Sequence, residues 1–251
     1  MSGHSKWKTI QHKKGAADAK RGQIFSKISK ELSVAAREGG SDPDKNAALR
    51  TVMQKAKAAN MPSDNIDRAI KKGAGELEGS RYEEIMYEGF AAGGVGLAVS
   101  CLTDNKNRTG AEIRHIFTKH GSAFAALGAV TRNFVRKGQI FVSAEGVDED
   151  TLMDIVLEAG AEDMRRDEDA FEIVTEPAAF GQVMDALEKA GIKAENGEVA
   201  LIPLSTVPIS DKATAASIMK FIDNLEDHDD VQAVAGNMDI DDAVLAELND
   251  A

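Results

Sequence analysis

Eleven residues in the first thirty positions suit contact with a polyanion: His4, Lys6, Trp7, Lys8, His12, Lys13, Lys14, Lys20, Arg21, Lys27 and Lys30. Residues 1–30 hold eight lysines and arginines against one acid, Asp18. At about 100° per residue, Lys13, Lys20 and Lys27 fall along one edge of a helix that extends that far back. That edge lies roughly a quarter turn from the apolar stripe that would dock the helix, so the ammonium groups can face a phosphate backbone. Trp7 suits anchoring the arm to a helical bundle better than stacking on a base. The lysines as a group read as a nucleic-acid contact, duplex DNA or ribosomal RNA.

A second place to look is the polar junction Asp104–Thr109, between an apolar strand and a helix. There Asn105, Lys106, Asn107 and Arg108 could hold a phosphate on outward backbone N–H groups. As a bare pattern, however, it reads first as an ordinary polar turn. Gly93-Gly-Val-Gly96 precedes a strand instead of following one, so it is not a dinucleotide loop. The carboxylates Glu83, Glu84 and Glu88, and Asp223, Glu226, Asp227, Asp229 and Asp230, could in principle hold magnesium or move protons. Among 42 acids such groupings arise by chance, and no motif supplies the rest of a site. The five histidines show no metal spacing. No catalytic residue, metal or cofactor is assigned, and the chain is read as a non-enzyme.

The net charge of −12 is strongly polarised: residues 1–72 carry 16 bases against 7 acids, and residues 73–251 carry 14 against 35. The first part can face a polyanion, while the acidic remainder repels one and aids solubility. An aromatic content of 5% argues against large stacking platforms for single strands. The single cysteine, Cys101, excludes an internal disulfide and lies in the apolar run Val95–Leu102, as a buried, inert thiol. No run approaches a membrane span, and Met1–Lys8 has no apolar signal region, so the expected address is the cytoplasm, with no membrane partner.

Stepwise apolar periodicity organises these residues. Ile24, Ile28, Leu32 and Ala35 form one stripe over Arg21–Arg37, closed by Gly39-Gly40. Asp42 and Pro43 are expected to open a second helix, with Leu49, Val52, Met53 and Ala56 inside and Asn60 closing it in the left-handed conformation. Ser63 is expected to cap a third. After the glycine-rich linker 73–79, strands alternate with helices. Ile85 and Tyr87 share one face of the first strand, with Glu84, Met86 and Glu88 on the other. A strand is expected at Val130–Val135. Residues 138–204 then read strand, helix, strand, strand, helix, strand, the ferredoxin-like order. The expected class is α+β and multidomain. A basic helical domain (1–79) precedes two ferredoxin-like α/β domains, with 138–204 inserted into a discontinuous domain of 80–137 plus 205–251.

Gly3-His-Ser-Lys-Trp7, His12-Lys-Lys14, Asp18-Ala-Lys-Arg-Gly22, Asn60-Met-Pro62, Asp64-Asn-Ile66, Arg68-Ala-Ile-Lys-Lys-Gly73, Gly75-Glu-Leu-Glu-Gly79, Tyr87-Glu-Gly89, Leu102-Thr-Asp104 and Asn107-Arg-Thr109 resemble the YebC family from residue 3 to about 240. The resemblance implies three domains, a cytoplasmic location and DNA-binding transcriptional regulation. Other members resemble ribosome-associated factors that ease elongation through proline-rich stretches, and mitochondrial relatives are translational activators of cytochrome c oxidase. The chain departs from the family after Lys119-His-Gly121, where Gly-Asn-Leu-Gly is usual and Ser122-Ala-Phe-Ala125 stands instead. That makes this loop more apolar and less tolerant of left-handed backbone angles. A small-molecule-sensing regulator is the remaining alternative, on fold-level analogy. The sequence leaves the oligomeric state open.

Overall fold

The structure, a computed structural model, describes residues 18–167 and 169–249, with side chains for 21–166 and 169–248. It is a mixed α+β protein with helices first and sheets after, the class read from the sequence. Two compact units are formed, one by Arg132–Thr206 and the other by the described residues up to Thr131 together with those from Val207 on.

In the second of these, the described residues open with α1 (Asp18–Gly39), α2 (Ala47–Ala58) and α3 (Ser63–Gly73). Ile28, Leu32, Ala36, Leu49, Ile66 and Ala69 close a core of their own between the three helices. Ile24 does not join it and is 40% exposed, whereas the neighbouring Phe25 packs against the cluster. The cap of α2 is Asn46, not Asp42. Its Oδ1 accepts from Leu49 N, and its Nδ2 donates to Ala35 O and Gly40 O, both at 2.8 Å. One amide thus caps one helix and satisfies carbonyls at the end of another, which an aspartate could not do because it has no donor. Asn60 is left-handed as expected, with φ 57°. Pro62, not Ser63, holds the cap position of α3, without a side-chain bond.

The same unit continues with β1 (Glu83–Phe90), β2 (Gly96–Thr103) and α4 (Lys106–Lys119). After the other unit come β7 (Val207–Ile209), α7 (Lys212–Glu226), β8 (Val231–Gly236), β9 (Met238–Ile240) and α8 (Asp242–Asn249). An antiparallel sheet runs β1-β2-β8, with Glu83 opposite Thr103, and β7 pairs β9 in parallel. Strand β2 is apolar on both faces, and Val99, Ile113, Phe117, Ile218, Phe221 and Val234 fill the core around it.

The unit Arg132–Thr206 runs β3 (Phe134–Ser143), α5 (Glu149–Glu158), β4 (Ala161–Asp167), β5 (Ala170–Thr175), α6 (Phe180–Lys189) and β6 (Ala194–Pro203). Its antiparallel sheet has the order β4-β5-β3-β6, the ferredoxin-like arrangement. Ile140, Leu152, Val156, Ile173, Val183 and Leu187 form its core. Asp148 caps α5 through Thr151 N, as expected. The separate strand expected at Val130–Val135 is not there. Residues 131–133 make a single tight turn, and one ten-residue strand runs on through Gly138. Gly138 is a point of close packing, since a Cβ there would lie 2.2 Å from Thr175 Oγ1.

Candidate nucleic-acid interface

Of the eleven N-terminal candidates, His4, Lys6, Trp7, Lys8, His12, Lys13 and Lys14 lie outside the described residues. Lys20 and Arg21 sit in the first turns of the described α1, and Arg21 is exposed. Lys27 and Lys30 are placed differently from their expected role.

Gln23, Lys27 and Lys30 occupy positions i, i+4 and i+7 of α1, one side of the helix. All three point at the end of α7. Gln23 Nε2 donates to Asp227 O at 3.2 Å, Lys27 Nζ to Glu226 O at 2.5 Å, and Lys30 Nζ to Asp229 O at 2.9 Å. The last carbonyls of a helix have no partner within it and carry its negative dipole end, so ammonium donors from a neighbouring helix satisfy both needs. Burial pushes the Lys27 ammonium below its ordinary range, against the pull of Glu226, Asp227 and Asp229. In this arrangement these two ammonium groups hold α1 to the α/β part of the unit and do not face outward.

Asp230 is the centre of that contact. It is 3% exposed. Lys30 Nζ lies 2.6 Å from Oδ1, while Arg108 Nη2 at 2.8 Å and Thr109 Oγ1 at 2.7 Å share Oδ2. Burial alone would raise its pKa. The hydrogen bonds from Lys30, Thr109 and Arg108 outweigh that and hold the carboxylate well below its usual range. A buried charge persists when both of its oxygens have donors, as here.

The junction Asn105–Arg108 is largely used up by the same network. Asn105 Oδ1 caps α4 by accepting from Arg108 N at 3.1 Å. The Arg108 guanidinium bridges Asp230 and Asp104, and Lys106 is ion-paired with Glu83. Only Asn107 shows no such engagement among the described residues. Glu112, His228 and Asp230 bring three possible ligand atoms within 4.8 Å of one another. Two cations, Lys30 and Arg108, already hold Asp230 and would repel a third. His228 Nδ1 accepts from Asp230 N at 3.1 Å, so Nε2–H is left to face Glu112 Oε2 at 2.9 Å. The trio is a hydrogen-bonded ladder that orders the loop under α1.

Sequence reading missed a second organising carboxylate. Glu88 shares a face of β1 with Glu84 and Met86 in the sequence pattern, and it is 3% exposed. Its carboxylate accepts from Gly128 N (2.7 Å), Val130 N (2.6 Å), Thr131 N (2.9 Å) and Thr131 Oγ1 (2.9 Å). Burial opposes ionisation, but these donors prevail and the pKa falls below the ordinary value. The loop 128–131 is thereby tied to β1 by one side chain. The only signal in the sequence is an acid between apolar neighbours, which every half-exposed strand also shows.

The TACO1/YebC protein N-terminal domain matches residues 5–76, and the TACO1/YebC second and third domain matches residues 82–238. The chain belongs to the TACO1/YebC family. A relative in Desulforapulum autotrophicum, named a probable transcriptional regulatory protein, is 55% identical over 244 residues, covering 97% of this chain and 98% of its own. One in Geobacter sulfurreducens with the same description is 53% identical over 240 residues, 96% of each chain. The crystal structure of a conserved hypothetical protein from Aquifex aeolicus is similar with a TM-score of 0.81 and 48% identity, covering 90% of this chain and 93% of that one. These TACO1/YebC relatives support a regulatory role. Among the described residues no helix is long and apolar enough to cross a membrane.

Proposed function

We propose that this TACO1/YebC protein is a non-enzymatic, cytoplasmic regulator of gene expression that binds duplex DNA through its basic N-terminal part. The observation that supports the reading most is the segregation of charge, with eight bases against one acid in residues 1–30 of a chain whose net charge is −12. Lys27 and Lys30 turn inward to dock α1, so the contact is assigned to what precedes them, from His4 and Lys6 to Lys20 and Arg21. The docked face then has a purpose in this reading, since it fixes α1 as a rigid base for that stretch. Buried Asp230, with its three donors, leaves no free carboxylate at the centre of the acidic cluster for metal-dependent chemistry. The same reading divides the chain into a helical domain (1–79), a discontinuous α/β domain (80–137 with 205–251) and an inserted one (138–204), in keeping with three separate hydrophobic clusters.

Duplex retardation by the wild-type chain, beside a variant with Lys13, Lys14 and Lys20 changed to Glu, tests the proposal. Retardation by the wild type alone is expected. Failure of the wild type to bind duplex, together with its co-sedimentation with ribosomes, would transfer the role to translation.

A further inference from the structure

On the outer side of α4 lies an open groove of about 660 Å³. Tyr87, Lys106, Asn107, Arg114, His115 and Phe124 line it. Its floor is aromatic. The rings of Tyr87 and Phe124 stack with centroids 5.3 Å apart and planes 17° apart, and both remain half-buried. Phe117, fully buried, meets Phe124 edge-on at 5.0 Å and fixes its orientation from below. Gly110 lets Tyr87 lie close against α4, since even a Cβ there would come within 3.3 Å of the Tyr87 hydroxyl.

Its walls are cationic. The Arg114 guanidinium sits over the Phe124 ring, 5.0 Å from the centroid. Arg114 is exposed and makes no ion pair with any described residue, so its donors are held in place by the ring and turned to solvent. Lys106, ion-paired with Glu83, stands on the same groove, as does the His115 imidazole. No carboxylate lines it, although residues 73–251 carry 35 acids against 14 bases. A groove with this lining on so acidic a stretch suits an anion with a flat face.

We infer that this groove binds single-stranded nucleic acid, one base seated against the Tyr87–Phe124–Arg114 stack and the adjoining phosphate meeting the solvent-facing edge of the Arg114 guanidinium, beside the Lys106–Glu83 pair. Bases in a duplex are paired and stacked on each other, so their faces cannot reach such a floor, whereas those of an open strand can. The site is separate from the basic N-terminal stretch and gives the protein of the proposed function a second nucleic-acid contact. It rests on that function for its biological setting only.

The test uses the full chain with a short labelled oligouridylate and, separately, a labelled duplex, each followed by fluorescence anisotropy. Two variants are compared with wild type: Arg114→Glu, at an exposed position, and Phe124→Leu, which keeps an apolar side chain but removes the stack. Single-strand affinity is expected to fall about tenfold in each, with duplex affinity within about twofold of wild type and an unchanged melting temperature. Several results would overturn the inference. Both variants could bind the strand as wild type does, or Arg114→Glu could weaken strand and duplex equally, marking a general charge effect. Uridine monophosphate could displace the strand at matching concentration, marking a mononucleotide pocket. Wild type binding duplex but no single strand removes this site and leaves the proposed function standing, whereas wild type binding neither removes both.

Discussion

Lys30 on the first described helix and Asp230 just before β8 meet at 2.6 Å with both side chains out of solvent. Two hundred residues apart in sequence, they join the basic helices to the acidic α/β part of the same unit. Opposite charges that balance poorly along the chain are thus matched locally where the two parts touch.

Removing one partner leaves the other buried and unpaired, which costs far more than the pair itself contributes. Asp230→Asn is expected to destabilise the unit by about 3 kcal/mol. Lys30→Met combined with it should recover part of that loss, read as a coupling of at least about 1 kcal/mol in a urea-unfolding cycle. Strictly additive single effects would show that the two side chains do not depend on each other.

The same carboxylate sets a pH dependence. Its folded pKa lies below the ordinary 3.8, so the unfolded chain takes up its proton first as acid is added. The stabilisation is complete above that ordinary value and is lost as pH falls through it towards the folded value. Thermal melts between neutral and acid pH should therefore fall more steeply for wild type than for Asp230→Asn in that acid range. Parallel curves would place the acid sensitivity elsewhere.

Glu88→Gln tests the tether on the loop 128–131. The amide replaces one acceptor oxygen by a donor that would face N–H groups, so a loss of roughly 1–3 kcal/mol is expected. Hydrogen exchange should quicken at Gly128, Val130 and Thr131, while the amides of β2 keep their protection. Unchanged exchange at those three amides would mean that the loop is held by its backbone bonds to β1 and by Phe124 packing.

Much of this fold can be read from apolar spacing. The stripe Ile28–Leu32–Ala35, the turn at Asn60, the cap at Asp148 and the βαββαβ order all follow from local rules that the structure obeys. What could not be read depends on partners distant in sequence. The close packing at Gly138 shows only once Thr175 is known to press against it. The burial of Glu88 shows only once the amides of 128–131 are seen converging on it. Lys27 and Lys30 read as phosphate contacts because a lysine's charge is visible in sequence while the carbonyls it meets are not. An aromatic content of 5% argued against a stacking platform, yet two of those rings, 37 positions apart in number, meet above α4.

Cys101 offers a simple check on the core. It is fully buried, and burial, aided by nearby Asp230, pushes its thiol up to about 12. A thiol reagent at neutral pH should label it only as fast as the unit unfolds, and Asp230→Asn should speed labelling in step with the lost stability. Rapid labelling of the folded wild type would contradict the packing of β2.

The most direct measurement is the affinity for duplex DNA across a range of salt concentrations, for wild type and for a variant with Lys13, Lys14 and Lys20 changed to Gln. Each lysine that meets a phosphate contributes about 0.9 to the slope of log affinity against log salt. The expected result is a steep wild-type slope and a variant slope shallower by about two to three units, with the unfolding of the two chains the same. A variant whose slope and affinity equal those of wild type would show that duplex DNA does not meet this stretch of the chain, and the central proposal would fail.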